Sequence, residues 1–156
     1  MKSMETPHQL VVFILDDQRY GLPLASVERA TRLVEITPLP EAPAIVLGLI
    51  NVHSRLVPVV NLRHRFRLPW REPTLSDEMI VAHTTRRPVA LVVDAVIGVI
   101  TYTDQQLVGA ADILPGTEHL QGVVKLDDGL ILIQDLEKFL SMDEARALDA
   151  AMACDP

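Results

Sequence analysis

Paired carboxylates, histidines, a lone cysteine and a cluster of arginines are the residues of this chain whose types could carry chemistry. Asp16-Asp17 and Asp127-Asp128 set acids side by side, as a general acid and base would be. Each pair also interrupts two apolar runs, where Asp bonds its own backbone and makes a turn, and that is the reading taken here. The histidines His8, His53, His64, His83 and His119 fall at spacings that match no common metal site and read as surface or strand residues. Cys154 has no motif histidine, and the chain holds no Gly-x-Ser-x-Gly, no glycine-rich phosphate loop and no His-Glu-x-x-His. The expectation is a protein without catalysis, metal or cofactor.

The arginines are less evenly spread. Arg55, Arg63, Arg65, Arg67 and Arg71 occupy a stretch with no acid, in a chain whose net charge is -7. The stretch is either a solvated loop or a docking patch, Arg63, Arg65, Arg67 and Arg71, for an acidic surface or a small anionic ligand, because a guanidinium pairs with carboxylate or phosphate through two parallel bonds. The overall acidity, with a pI near 5.1, argues against general affinity for nucleic acid or anionic membrane. No apolar run reaches the roughly 18 residues of a membrane span, and the first residues lack the apolar core of a signal peptide. With one cysteine no intrachain disulfide is possible, which suits a reducing compartment. A cytoplasmic protein is expected.

An apolar fraction of 49% with 22% charged residues describes a globular core. The elements around it are short. Ile45 to Val52 and Leu56 to Leu62 are apolar, β-branched runs separated by His53, Ser54 and Arg55, which predicts a hairpin buried on both faces. Pro58 cannot donate, so its N–H position faces away from a neighbour, or its strand is an edge or bulged. Residues 1 to 8 are polar and expected to fray. Leu10 to Leu15 and Tyr20 to Pro23 form a first local pair; Leu24 to Thr31 reads as a short helix or turn leading into Arg32 to Ile36. Met79 to His83, Val89 to Val93 and Val96 to Thr101 read as a meander. Thr103 to Gly116 is a long connection with room for one helical turn. Leu120 to Leu126 and Leu130 to Ile133 flank Asp127-Asp128-Gly129, a hairpin whose glycine supplies positive φ. Ser141 to Glu144 matches the Ser-x-x-Glu capping box of a last helix. About nine strands without strand–helix alternation give a mostly β architecture, as two small barrels or one sandwich. A break near residue 75 favours two barrels sharing an apolar seam.

The central hairpin resembles the CheW family, the adaptors that couple bacterial chemoreceptors to the chemotaxis histidine kinase. That family shows a glycine, an apolar pair, Asn-Leu-Arg-Gly, two apolar residues, an apolar-Pro-apolar step and a closing Asp-Leu-Arg. Gly48, Asn51, Pro58, Leu62 and Arg63 match, with Asn61 for the Asp. The likeness extends through Phe13, Tyr20-Gly21, Leu91-Val92-Val93-Asp94, Leu130 to Ile133 and Leu136. It implies a single domain over 9–153 made of two SH3-like five-stranded β-barrels with a common core. On that reading the first barrel is about 9–72, the second about 77–140, and a C-terminal helix covers 141–153. It further implies a noncatalytic scaffold whose partners are the receptor's cytoplasmic signalling tip and the kinase's regulatory domain, with the tip lying in an apolar groove at positions matching Val27, Val96 and Val99. A valine in a strand is more often core than contact. The sequence departs from the family at the hairpin turn, among Asn51, His53, Ser54 and Arg55: His53 replaces the motif arginine and Ser54 the glycine.

Overall fold

A computed structural model describes residues 7–109 and 120–153. His119, Cys154 and the end of the connection after Gly109 lie outside them. The strands are β1 His8–Leu15, β2 Gln18–Pro23, β3 Val27–Arg32, β4 Val46–Val52, β5 Arg55–Val60, β6 Glu78–His83, β7 Pro88–Val93, β8 Ala95–Tyr102, β9 Leu107–Gly109, β10 Leu120–Leu126 and β11 Gly129–Gln134. A short helix, α1, spans Leu62–Arg65, and α2 spans Met142–Ala153.

The chain is mostly β, as its sequence implies, but the two units are not sequential. One sheet has five strands in the order β3-β6-β7-β5-β4, and the other has six in the order β8-β1-β2-β11-β10-β9. The first hairpin therefore leaves the first half of the chain: β1 pairs with β8, and β2 pairs in parallel with β11 through Tyr20↔Leu132 and Gly21↔Ile133. The partition into 9–72 and 77–140 is corrected accordingly. The ladders form packed sheets rather than closed five-stranded barrels. In the five-stranded sheet the chain beyond β3 returns to β4, where the Thr37 and Leu49 N–H groups each donate to the other's carbonyl (2.8 and 2.7 Å).

The period-2 alternation of side chains sorts the core. From β1, Val11, Phe13 and Leu15 enter a cluster shared by both sheets, whereas Leu10 and Val12 enter the six-stranded sheet's own cluster. From β6, Ile80 and Ala82 join the shared cluster while Met79 and Val81 join that of the five-stranded sheet. Strands buried on both faces explain the near-continuous apolar runs of the sequence. The shared cluster is the seam, and Leu136, Phe139, Leu148 and Ala151 dock the C-terminal segment against it.

Local signals account for the connections. The β4–β5 turn is the two residues His53 and Ser54, at φ 49° and 66°, a left-handed pair of the kind that matches strand twist. Asp16 and Asp17 form the same turn between β1 and β2. At β10–β11 the positive φ falls on Gly129, the first residue of β11. Leu49 turns both its bonding groups toward Thr37, away from β5, so its pairing with Pro58 is of the non-hydrogen-bonded kind and the proline leaves no gap in that ladder. A serine in the left-handed region costs roughly 1 kcal/mol more than glycine. Ser54→Gly is thus expected to stabilise the protein by up to about that amount in urea unfolding; a destabilised variant would show that the serine is favoured there.

Four local features differ from expectation. Val27–Arg32 is a strand after a single 3-10 turn at Leu24–Ser26, and β1 starts at His8 rather than fraying there. α1 occupies part of the arginine-rich stretch expected to be a loop, capped by the Asn61 side chain, which accepts from the His64 N–H at 3.1 Å. Leu136–Lys138 is a 3-10 turn separate from α2. The capping box of α2 is present: Ser141 Oγ accepts from the Glu144 N–H (3.1 Å) and Glu144 Oε1 from the Ser141 N–H (2.8 Å). Ser141→Ala is expected to cost about 1 kcal/mol in urea unfolding. An unchanged midpoint would mean that the docked Leu148 and Ala151, not the cap, fix the start of α2.

Candidate functional site

Each sheet ends on a strand that carries the candidate valines: β3, with Val27, ends the five-stranded sheet, and β8, with Val96 and Val99, ends the six-stranded one. Glu78 of β6 ties the sheets together there. It lies opposite Arg32 of β3 in register, and its carboxylate accepts from the Val96 N–H at 2.6 Å. That bond satisfies one donor of the β8 edge.

The structure divides the three valines by exposure. Val27 and Val96 are half-buried and both pack on the shared cluster. Val99 is 52% exposed, although its register partner on β1, Val11, is buried. Sequence reasoning missed Ile97, which is 54% exposed beside it. Val12 pairs with Gly98 and Phe13 with Val96, so Ile97 is the extra residue of a β-bulge, with Gly98 at φ +148°. A glycine inside an apolar run was the available signal. β8 thus presents two large apolar side chains to solvent on an edge strand, which natural sheets ordinarily protect.

The hairpin tip is exposed at Asn51, His53, Ser54 and Arg55. Arg55 reaches back to β3, where Nη2 donates to Glu28 Oε2 at 2.6 Å, and His83 Nε2 lies 3.0 Å from the other oxygen. The Arg55 hydrogen bond holds the Glu28 carboxyl below the usual carboxylate range against desolvation, helped by the charges of Arg55, His83 and Arg29. Because Glu28 follows Val27, the tip's arginine is coupled to the strand that carries a candidate contact.

The remaining arginines are mostly committed inside the protein. Arg63, in α1, is buried. Its Nη2 donates to both Asp94 oxygens (2.9 and 3.1 Å), while Nη1 donates to the Pro69 carbonyl (3.2 Å) and pairs with Asp16 (2.7 Å). Arg71 bridges Asp77 (2.9 Å) and Asp94 (2.7 Å), and Arg65 pairs with Glu144 of α2. Arg67 alone of the four candidate patch arginines has a side chain without an ion pair or hydrogen bond to a described residue, so Arg63, Arg65 and Arg71 are not offered to a ligand as free cations. The network joins the β1–β2 turn, the β7–β8 junction and α1, and so clamps one sheet to the other. Among the described residues no group of three His, Cys, Asp or Glu side chains is arranged to hold a metal ion, and no helix is long and apolar enough to cross a membrane.

Residues 9–144 match the family model of the CheW-like domain. The chain is 30% identical over 141 residues to the chemotaxis protein CheW of Rhizobium meliloti, covering 89% of this chain and 91% of that protein. It is also 30% identical over 136 residues to the chemotaxis protein CheW of Thermotoga maritima, covering 85% and 87%. The solved structure of the scaffolding protein TtCheW from Thermoanaerobacter tengcongensis superposes with a TM-score of 0.81 at 28% identity, over 89% of this chain and 96% of that one.

Proposed function

Because the chain belongs to the CheW-like family, we propose that it is a noncatalytic adaptor that couples the cytoplasmic signalling tip of a chemoreceptor to the regulatory domain of a chemotaxis-type histidine kinase. The observation that carries this reading is the outward apolar face of β8, Ile97 and Val99, mounted on a strand whose opposite face is fixed in the core. Burying such side chains against a partner helix supplies affinity, and the half-buried Val27 and Val96 at the seam supply a firm floor. Charged residues at the rim, Glu28 and Arg55 among them, tune partner choice more than affinity. His53 and Ser54 in place of the family's arginine and glycine change the charge at the exposed hairpin tip, which suits a receptor or kinase other than a standard pair.

The rival reading, a barrel that binds a small anion through the arginine-rich stretch, is weakened by the internal pairing of Arg63, Arg65 and Arg71. The two readings separate in one pair of measurements. The purified chain is mixed with a receptor-tip fragment and, separately, with a kinase regulatory domain, and its melting temperature is taken across a panel of nucleotides and small acids. Retention of both proteins without a thermal shift supports the adaptor; binding to neither removes it.

A further inference from the structure

The sole tryptophan of the chain is not in the core. Trp70 is 60% exposed, as are Leu75 (67%) and Val34 (40%), and with Leu47, the bulged residue of β4, they line an open cleft of about 480 Å³ beside the five-stranded sheet. Exposed apolar groups so grouped mark interaction sites, and tryptophan is prominent among the residues that dominate binding energy.

The segment that presents them is pinned. Asp77 is buried; its carboxylate accepts from Arg71 (2.9 Å) and from the Thr74 N–H (2.9 Å), and its carbonyl accepts from the Leu33 N–H (3.0 Å). Arg71, next to Trp70, is held by Asp94 as well. The backbone that carries Trp70 and Leu75 is thereby ordered before any partner arrives, which lowers the entropy lost on binding.

Charge identifies the partner. Glu35 and Glu72 line the same cleft, neither has an ion pair or hydrogen bond to a described residue, and no lysine, arginine or histidine lies among the lining residues. An acidic rim around an apolar floor matches an apolar face flanked by lysine or arginine, whose cations gain both from the carboxylates and from the open face of an indole. We infer that this cleft is a second docking surface, which takes a basic amphipathic segment of a protein partner through Val34, Trp70 and Leu75, with Glu35 and Glu72 reading its positive charges. It shares no residue with Val27, Val96 or Val99, so it stands or falls apart from the receptor-coupling reading.

Trp70 is its own reporter. Intrinsic emission of the full chain is followed while a synthetic helix with leucine on one face and lysine and arginine on the other is added, with a glutamate-for-lysine analogue as the counterpart. The expected result is a saturable blue shift with the basic peptide only. Glu35→Lys combined with Glu72→Lys should weaken that binding by at least about tenfold, through reversal of the complementary charge. A control with the same number of reversals, Asp127→Lys with Asp143→Lys, should leave it within about twofold, since charges beyond a Debye length are screened at moderate salt. Leu75→Ser, which keeps the reporter, should weaken it as well. No shift, or equal loss in both charge variants, overturns the inference. A blue shift of the chain alone that grows with its own concentration would assign the cleft to a second copy and equally overturn it.

Discussion

Arg63→Ala is expected to lower the unfolding free energy by about 3 kcal/mol, at the lower end for removing one member of a buried ion pair. The side chain is only 10% exposed and serves Asp94, Asp16 and the Pro69 carbonyl at once. Its loss leaves two carboxylates facing each other across the sheet boundary. The cost stays at the lower end because Asp94 keeps Arg71 and the Asp16 N–H, the latter at 3.0 Å. Arg63→Lys should recover little, since a point charge cannot reproduce the fork. Urea unfolding measures both; a loss under about 1 kcal/mol would assign the clamp to apolar packing and leave the network incidental, as exposed pairs are.

The same network fixes an acid response. Burial pushes the Asp94 carboxyl up, but the Asp16 N–H and the guanidinium groups of Arg71 and Arg63 more than offset it and hold it below the usual aspartate range. The unfolded chain therefore binds the proton first. The stabilisation is fully present above the unfolded value and is lost as pH falls through the lower, folded one, so Arg63→Ala should flatten the acid limb of the stability curve relative to wild type.

Gly48→Ala is expected to cost about 3–5 kcal/mol, a backbone strain of about 1–3 kcal/mol added to the weakening of two neutral hydrogen bonds at about 1 kcal/mol each. A Cβ there would stand 2.3 Å from the Thr37 carbonyl oxygen and 2.9 Å from Ile36, at φ +152°. The obstruction is backbone and belongs to the bridge that returns the chain beyond β3 to β4. Gly98 is the internal control: its φ is +148°, yet nothing lies within 4 Å of an added Cβ. Gly98→Ala should cost only the conformational part, about 1–3 kcal/mol, and so about 2 kcal/mol less than Gly48→Ala. Equal losses in the two variants would remove close approach as the reason for Gly48.

What the sequence made legible was local. The β4–β5 and β10–β11 hairpins and the α2 capping box followed from apolar runs, turn residues and spacing, because each is decided within about ten residues. The departure of β1 and β2 to the other sheet was not legible, since Tyr20 meets Leu132 across more than a hundred residues and no periodicity records that choice. β3 was missed because Glu28 to Arg32 are exposed on an edge strand and lack the apolar alternation that marks a half-buried one. The arginine stretch looked unpaired because its acids, Asp16, Asp77, Asp94 and Glu144, lie outside it in sequence and are supplied by the fold. Val99 came from the family likeness rather than from its own residue type. Only the structure separates it, as exposed, from Val27 and Val96, which also serve the seam.

That separation gives the most direct test of the adaptor reading: the affinity of Val99→Glu for a receptor signalling tip, measured beside its melting temperature. A carboxylate on the outer face of β8 meets water in the free protein but would be buried without a partner charge in a complex. The expected result is loss of detectable tip binding, with the melting temperature within a few degrees of wild type. Wild-type affinity in this variant would contradict it, because β8 would then not be where the receptor docks.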